Sequence, residues 1–402
     1  MKPVEERIAD FNEGRMDELL QLKYKNMRQD IFGFYRGTSH LYYEDLAAAD
    51  NKTINESPAT WVSGDLHLEN YGSYKADNRL VYFDINDFDD AAIAPCLWEV
   101  SRLLVSILVA IKAKRLGDKA SAEKLCTLFI ETYSQTLIEG HARLIEEETA
   151  ESIVYTLLHK LRKRKRKNFI DQRTKKIEGK RKILTDGVHA IALPENLKKD
   201  IATSINEWAK GKADNDFYKI IDIARRIAGT GSLGLERYVA LIKGKGEPDN
   251  YLLDIKFAKP SSVILHTKIQ QPAWTNEVQR IIEIQKRMQA FPPALLEGIK
   301  LSDKWFVLKE LQPMEDRVDL ITCGGRITHL DCFIKNVATL TAWAQLRSSG
   351  RQGSAIADTL IEFATKKDWH KGLEEYINSY FVTIEGYYKT FSAAYDKNYF
   401  KR

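Results

Sequence analysis

Cysteine is scarce in this chain, and the four residues present, Cys96, Cys126, Cys323 and Cys332, form no C-x-x-C pair. A zinc ribbon or a disulfide-stapled scaffold is therefore excluded. Long apolar runs are missing as well. The greasiest stretch, Leu103 to Ile111, is interrupted by Ser106 and is too short to span a bilayer. The first residues, Met1-Lys2-Pro3-Val4-Glu5-Glu6-Arg7, lack the apolar stretch of a signal peptide, so a reducing, cytoplasmic setting without a membrane span is expected. Charge of one sign is not in great excess: 61 Lys and Arg stand against 56 Asp and Glu, a formal net charge of +5. That balance alone does not point to nucleic acid. There is also no internal repeat, which argues against a solenoid.

What is present is the composition of a folded enzyme-sized protein. Hydrophobic residues make up 44% and charged residues 29% of 402 residues, enough for a sizeable core and for two or three domains, or two lobes sharing a cleft. The cations are unevenly spread. Between Lys160 and Lys182 stand 13 Lys or Arg and two acids, Asp171 and Glu178, so the rest of the chain is mildly acidic. Such a run is most often a solvated helix face or a loop, and an acidic partner at 160–182 is the functional alternative. Its densest part, Arg162 to Lys167, has no interleaved aromatic and only Phe169 is close, so stacking platforms for bases are lacking.

Hydrophobic spacing predicts helices over most of residues 1–60, over Trp98–Ile138, Ala150–Leu161 and Asp200–Ala228, and from Leu330 to Tyr399. Thr60–Ser63 and Leu80–Phe83 read as strands, as do Tyr238–Ile242, Tyr251–Phe257 and Lys304–Leu311. Thr275–Ala290 reads as a helix with Thr275 as its N-cap. The expected class is α+β, with a small antiparallel-sheet piece at 225–315 interrupting a mainly helical body built from 1–224 and 316–402.

The strongest local signal is Gly64-Asp65-Leu66-His67-Leu68-Glu69-Asn70, which holds Asp65 and Asn70 five positions apart after a short strand. Asp87 follows seventeen residues later, within Asn86-Asp87-Phe88-Asp89-Asp90. Phosphoryl transfer uses such a kit: a carboxylate to take or orient the nucleophile's proton, and hard oxygens to hold Mg²⁺ against nucleotide phosphates. Either loop alone reads as an ordinary polar turn; the pair at this spacing reads as a site, with Asp65 as base, His67 as a loop-orienting residue and Asn70 and Asp87 as metal ligands. A second signal is Gly229-Thr230-Gly231-Ser232-Leu233-Gly234. A lone G-x-G-x-x-G is weak, but here strand patterns follow it, as in a glycine hairpin over ATP phosphates. Leu252-Leu253-Asp254-Ile255-Lys256 then supplies an apolar-then-lysine strand, with Lys259 as a rival, and Glu283 on the next helix is a candidate partner for that lysine. Arg36, before Gly37, is a candidate phosphate contact or an ordinary turn residue.

Gly64–Asn70 with Asn86–Asp90 resembles the "G-D-x-H-x-x-N … D-F-D-D" pattern of aminoglycoside and choline kinases, of the protein-kinase-like fold. More closely, from about Met27 to the C-terminal helices, the chain is similar to the bacterial domain of unknown function 2252 family. That likeness includes Phe34-Tyr35-Arg36-Gly37, the two loops, Trp98–Leu104, Gly229–Gly234 and Lys256; at Ala342–Ser349 it departs, with Gln345 where a His is expected. The kinase-like resemblance implies ATP and Mg²⁺ as cofactors and a phosphotransferase acting on an unidentified hydroxyl acceptor, small molecule or protein. Gly229, Gly231, Ser232 and Gly234 become the phosphate loop, Lys256 the phosphate lysine and Glu283 its partner. Because the glycine loop follows the Asp65 loop, the implied bilobal fold is circularly permuted. Two rivals keep the same nucleotide site: a pseudokinase scaffold, and an AMP transferase that binds ATP turned around. A two-metal phosphoesterase would need further His and Asn ligands, and no Gly-Asn-His or His-x-His pattern occurs.

Overall fold

The apolar run that is too short for a membrane is the middle of a buried helix. Cys96–Lys114 begins directly after Pro95 and ends where Arg115 turns left-handed at φ 54°. Every side chain from Cys96 to Ile111 is buried, including Glu99, Ser101 and Arg102. Around it pack the helices Ile31–Gly37, Lys119–Glu139 and Trp369–Asp396 and the strand Ala59–Val62. The structure is a computed structural model that describes residues 2–313, 316, 318–320 and 327–401; Cys323 lies outside the described residues. The fold is a mixed α+β arrangement in which helices dominate.

Two short antiparallel pairs sit on this helical body. Ala59–Val62 pairs with Ala92–Pro95, and Tyr71–Lys75 pairs with Val81–Ile85. The main sheet has six antiparallel strands in the order Glu297–Leu301, Lys304–Glu310, Tyr251–Phe257, Arg237–Ile242, Ile220–Arg226, Ala190–Ile191. Strand alternation divides its faces. Tyr238, Ala240, Ile242, Leu253 and Ile255 pack against Ile201 and Ile205 of the helix Glu195–Ala209. On the other face Val239, Leu241 and Leu252 are covered by Ile170 and Ile183 of the basic segment. Arg237, Asp254 and Lys256 continue that second face, because Lys256 stands opposite Arg237 and Asp254 opposite Val239.

Three expectations change here. The helix expected over Asp200–Ala228 stops at Ala209, and Ile220–Arg226 is a sheet strand, so the sheet starts before residue 225. Ile220, Ile221 and Ile223 are β-branched and fit a pleated surface better than a helix. The helix after the sheet strands runs Glu277–Met288, and its N-cap is Asn276, whose side chain accepts from the Gln279 N–H, not Thr275. The basic segment is neither a bare helix face nor a loop: it is a helix to Lys163, a second helix Arg166–Arg173 and a hairpin, Thr174–Ile177 with Lys180–Ile183. No described helix is long and apolar enough to cross a membrane.

Candidate active site

The loop Gly64–Asn70 leaves the strand Ala59–Val62 through Ser63, whose N–H and hydroxyl both donate to Glu99, at 2.8 and 3.1 Å. The other Glu99 oxygen accepts from Gln345, which in turn accepts from Tyr133. Burial pushes the Glu99 carboxyl up to about 7. Gly64 then turns at φ 93°, and a Cβ built on it would lie 2.2 Å from the Asp90 carbonyl oxygen. Only glycine lets the two acidic loops approach this closely. Gly64→Ala is expected to lower unfolding stability by about 3 kcal/mol, from a disfavoured φ and a backbone overlap together; urea unfolding measures it, and an unchanged midpoint would contradict the close approach.

Asp65 accepts two bonds from Arg102, at 2.9 and 2.5 Å. Arg102 is fully buried and lies over the Tyr35 and Tyr42 rings. Burial raises the Asp65 carboxyl above its ordinary range, against the pull of Arg102. Asn70 donates its amide to the Asp65 carbonyl, which leaves its Oδ1 as acceptor. Its own carbonyl accepts from Asn86 N–H at 2.8 Å, joining the first loop to the second. His67 is buried, accepts at Nδ1 from the Glu69 N–H and stands edge-on to Phe32.

The second loop meets the sheet. Lys256 lies 3.3 Å from Asp87 and also pairs with Asp89. Burial works against the Lys256 charge, but Asp87 and Asp89 more than offset it and raise the ammonium. Lys259 pairs with Asp90 at 3.3 Å, and Asp90 also accepts from the Ser262 N–H. The fully buried Arg280 donates to the carbonyls of Asp89, Ala91 and Lys259.

The glycine segment closes the same space from the other side. It links Ile220–Arg226 to Arg237–Ile242 by a turn at Thr230–Ser232, with Gly229 and Gly234 at φ 74° and 86°. Residues near the N-terminus hold it: Arg15, in the turn after the helix Val4–Phe11, donates to the Gly231 and Leu233 carbonyls, both at 2.8 Å, and the buried Lys23 of the helix Asp17–Gln29 donates to Gly231 at 3.3 Å. One cavity is lined by Asp65, His67, Asn70, Asp87, Gly229–Ser232 and Lys259. A second, adjoining one is lined by Lys256, Asp254 and Lys309. Asp87, Asp89 and Arg237 line both. In the second, burial lowers the Lys309 ammonium to about 8. Asp254 is held well below the carboxylate range by Arg226 and Arg237 despite its burial.

Of the sequence-derived residues, Asp65, His67, Asn70, Asp87, Gly229, Gly231 and Ser232 share one cavity, and Lys256 reaches Asp87 from the adjoining one. Gly234 lies just behind, against Arg15. Glu283 is not with them. Its carboxylate is bonded to Gln279 and Arg287, at 2.8 and 3.0 Å. The reason is helical phase: Ile281 and Gln285 face the Lys256 cavity, and a residue two positions from each lies on the opposite side of the helix. The partners of Lys256 are Asp87 and Asp89 instead. Arg36 lines the main cavity and pairs with Glu69 at 2.5 Å.

Sequence reasoning missed Arg102, Arg237, Arg15, Lys23 and the pairing role of Asp89. Arg102 left a signal: a charge inside an otherwise apolar helix needs a buried partner. Among the described residues no group of three or more His, Cys, Asp or Glu converges as a metal cage. Asn70 and Asp87 are hard oxygen donors on one cavity, and that set fits Mg²⁺, which takes few protein ligands and completes its shell with phosphates and water.

The chain belongs to the family described as "Uncharacterized protein conserved in bacteria (DUF2252)", which it matches over residues 15–394. No curated protein and no solved structure matches it.

Proposed function

We propose that this member of the family is an ATP- and Mg²⁺-dependent phosphotransferase with a kinase-like, circularly permuted architecture. In this reading the piece that holds the six-stranded sheet carries the phosphate loop, and the helical body on either side of it in sequence forms the catalytic lobe. The observation that supports it most is the meeting of three sequence-distant pieces at one place. Asp65 and Asn70, then Asp87, then the Gly229–Ser232 turn line a single cavity, and Lys256 contacts Asp87 across 169 residues. Two unrelated polar turns have no reason to share a cavity with a glycine turn held by Arg15 and Lys23.

The roles follow from the chemistry. The acceptor hydroxyl oxygen forms a bond to the γ-phosphorus, the bond from that phosphorus to the β–γ bridging oxygen breaks, and ADP leaves. Asp65 takes the hydroxyl proton; burial raises its carboxyl toward the working pH of a base, and Arg102 fixes its direction. Gly229, Gly231 and Ser232 offer backbone N–H groups to phosphate oxygens. Lys256, held charged by Asp87 and Asp89, supplies the cation beside them. Asn70 and Asp87 would hold Mg²⁺, which neutralises phosphate charge when bound. His67 keeps the loop in shape through its bond to Glu69. Free thiols at Cys96, Cys126 and Cys332 fit a reducing cytoplasm.

ATP labelled at the γ or the α position tests the reaction class. The γ label is expected to move to an acceptor, or to water in its absence. Transfer of the α label instead would make the protein a nucleotidyl transferase, and no turnover of either would leave it a nucleotide-binding scaffold.

Glu99 gives the site a pH dependence. Its folded carboxyl lies near 7 because it is buried, above the ordinary value of 4.5. A raised folded pKa stabilises below the unfolded value and loses that contribution as pH rises through the folded one. Between pH 4.5 and 7 the chain is expected to lose about 3 kcal/mol from this group, and Glu99→Gln should remove that part of the slope in urea unfolding at a series of pH values. An identical slope in the variant would contradict the assignment.

A further inference from the structure

The basic segment does more than cover the sheet. Its chain breaks at Arg164–Lys165, between the helices Ser152–Lys163 and Arg166–Arg173, and the break faces the far end of the Tyr71–Lys75 strand. There Arg164, Arg166 and Phe169 line a cavity with Lys75, Arg79, Glu310 and Asp316. The strand starts beside Asn70 and carries Lys75 roughly 13 Å from that start, so this cavity is separate from the one lined by Asp65.

Its charges do not balance. Arg79 is held in a two-bond fork by Glu310, at 2.7 and 3.0 Å, and Arg164 in another by Asp316, at 2.8 and 2.5 Å. These forks use up both acids and fix two guanidiniums in place. Lys75 and Arg166 remain, and among the described residues neither has an ion pair. Arg166 lies flat on the Tyr251 ring, 3.7 Å from its centre, which orients it without neutralising it. Burial lowers the Lys75 ammonium, and repulsion from Arg79, Arg166 and Arg164 lowers it further, outweighing Glu310. Among the described lining residues, four cations and two acids leave an excess of two positive charges around one concave space. Phe169 supplies an aromatic wall, with Arg164 5.8 Å from its ring centre.

We propose that this cavity binds a small aromatic or otherwise ring-bearing phosphate monoester, its phosphate between Lys75 and Arg166 and its ring against Phe169. A phosphate monoester carries about −1.5 to −2 at neutral pH, which matches the excess. A carboxylate would meet only half of it. Guanidinium groups fixed beforehand suit the several acceptor oxygens of a phosphate. The proposal stands apart from the phosphotransferase reading, because none of its residues touches the Asp65 cavity. It also gives the basic segment a specific task in place of a diffuse acidic partner: the segment supplies two cations and the ring, and the Tyr71–Lys75 hairpin supplies the rest.

Calorimetric titration of the full chain with phenyl phosphate, at low salt, tests it. Binding is expected, weakening with added salt as charge pairing is screened. Lys75→Ala combined with Arg166→Ala should weaken it at least tenfold, and Lys75→Arg should keep it. Both side chains are partly exposed, so these variants should fold; if circular dichroism shows that the double variant does not, Arg166→Gln alone carries the same expectation. Phe169→Ala should weaken phenyl phosphate more than inorganic phosphate. Asp87→Ala, which damages the other cavity, should leave phenyl phosphate binding unchanged. Equal affinity in the wild type and the Lys75/Arg166 variant, or no binding at millimolar phenyl phosphate, would overturn the proposal while leaving the ATP reading intact.

Discussion

Asp65→Asn is expected to lower phosphoryl transfer by about 10²–10⁴-fold, the usual contribution of a positioned base, with nucleotide affinity preserved. The substitution keeps the shape and removes the proton acceptor. It also touches a buried ion pair, because Arg102 has no exposed surface and directs two bonds at Asp65. Without Asp65 the buried guanidinium loses its carboxylate and keeps, among the described residues, only the Tyr35 carbonyl as acceptor, and breaking a buried ion pair costs roughly 3–5 kcal/mol. The Asn oxygen still accepts from Arg102, so the stability loss should be smaller than for Asp65→Ala. The two variants therefore separate the roles. If Asp65 is a base, both lose transfer to a similar extent although they differ in stability. If Asp65 only anchors Arg102, both variants keep transfer per folded molecule although Asp65→Ala is less stable. Single-turnover transfer, normalised to the folded fraction from near-ultraviolet circular dichroism, distinguishes the two.

Asp87→Ala is expected to abolish the dependence of ATP affinity on Mg²⁺. Asp87, like Asp89, lines both adjoining cavities, and it contacts Lys256 at 3.3 Å. Its removal takes away a hard oxygen ligand and one of two charges that keep Lys256 protonated. Asp89 still holds Lys256, so the loop should stay docked on the sheet and the fold should survive. A folded Asp87→Ala protein whose ATP affinity still rises with Mg²⁺ would remove Asp87 from the metal site. An Asp89→Ala protein then provides the comparison, since Asp89 lines the same space and also pairs with Lys256.

Local chemistry was legible in the sequence, and long-range geometry was only partly so. The loops Gly64–Asn70 and Asn86–Asp90 and the glycine turn stand where their residue types require them, because turn residues and strand alternation act over a few positions. The proximity of Lys256 to Asp87 is what the proposed nucleotide site requires, and the two side chains do meet at 3.3 Å. Glu283 lies outside the site because its apolar neighbours Ile281, Ile282, Ile284 and Met288 do not fix which way it points, and helical phase turns it toward Arg287. Ile220 and Ile223 have the three-residue spacing of a helix, while pairing with Arg237–Ile242 makes Ile220–Arg226 a strand. The basic run read as a single object, yet its Ile170 and Ile183 are core residues and its cations go separate ways: Arg181 to Asp171, Arg162 to Glu147, Arg164 to Asp316. Arg15 and Lys23, more than 200 residues from the glycine turn they hold, carried no local mark at all.

The most direct measurement is a crystal structure of the full chain with Mg²⁺ and a non-hydrolysable ATP analogue. The β- and γ-phosphates are expected between the Gly229–Ser232 turn and Asp87, with Lys256 within hydrogen-bonding distance of a phosphate oxygen and Asn70 and Asp87 on the metal. Phosphates bound away from the glycine turn, for instance among Lys75, Arg79 and Arg166, with Asp65 and Asp87 untouched, would contradict the account.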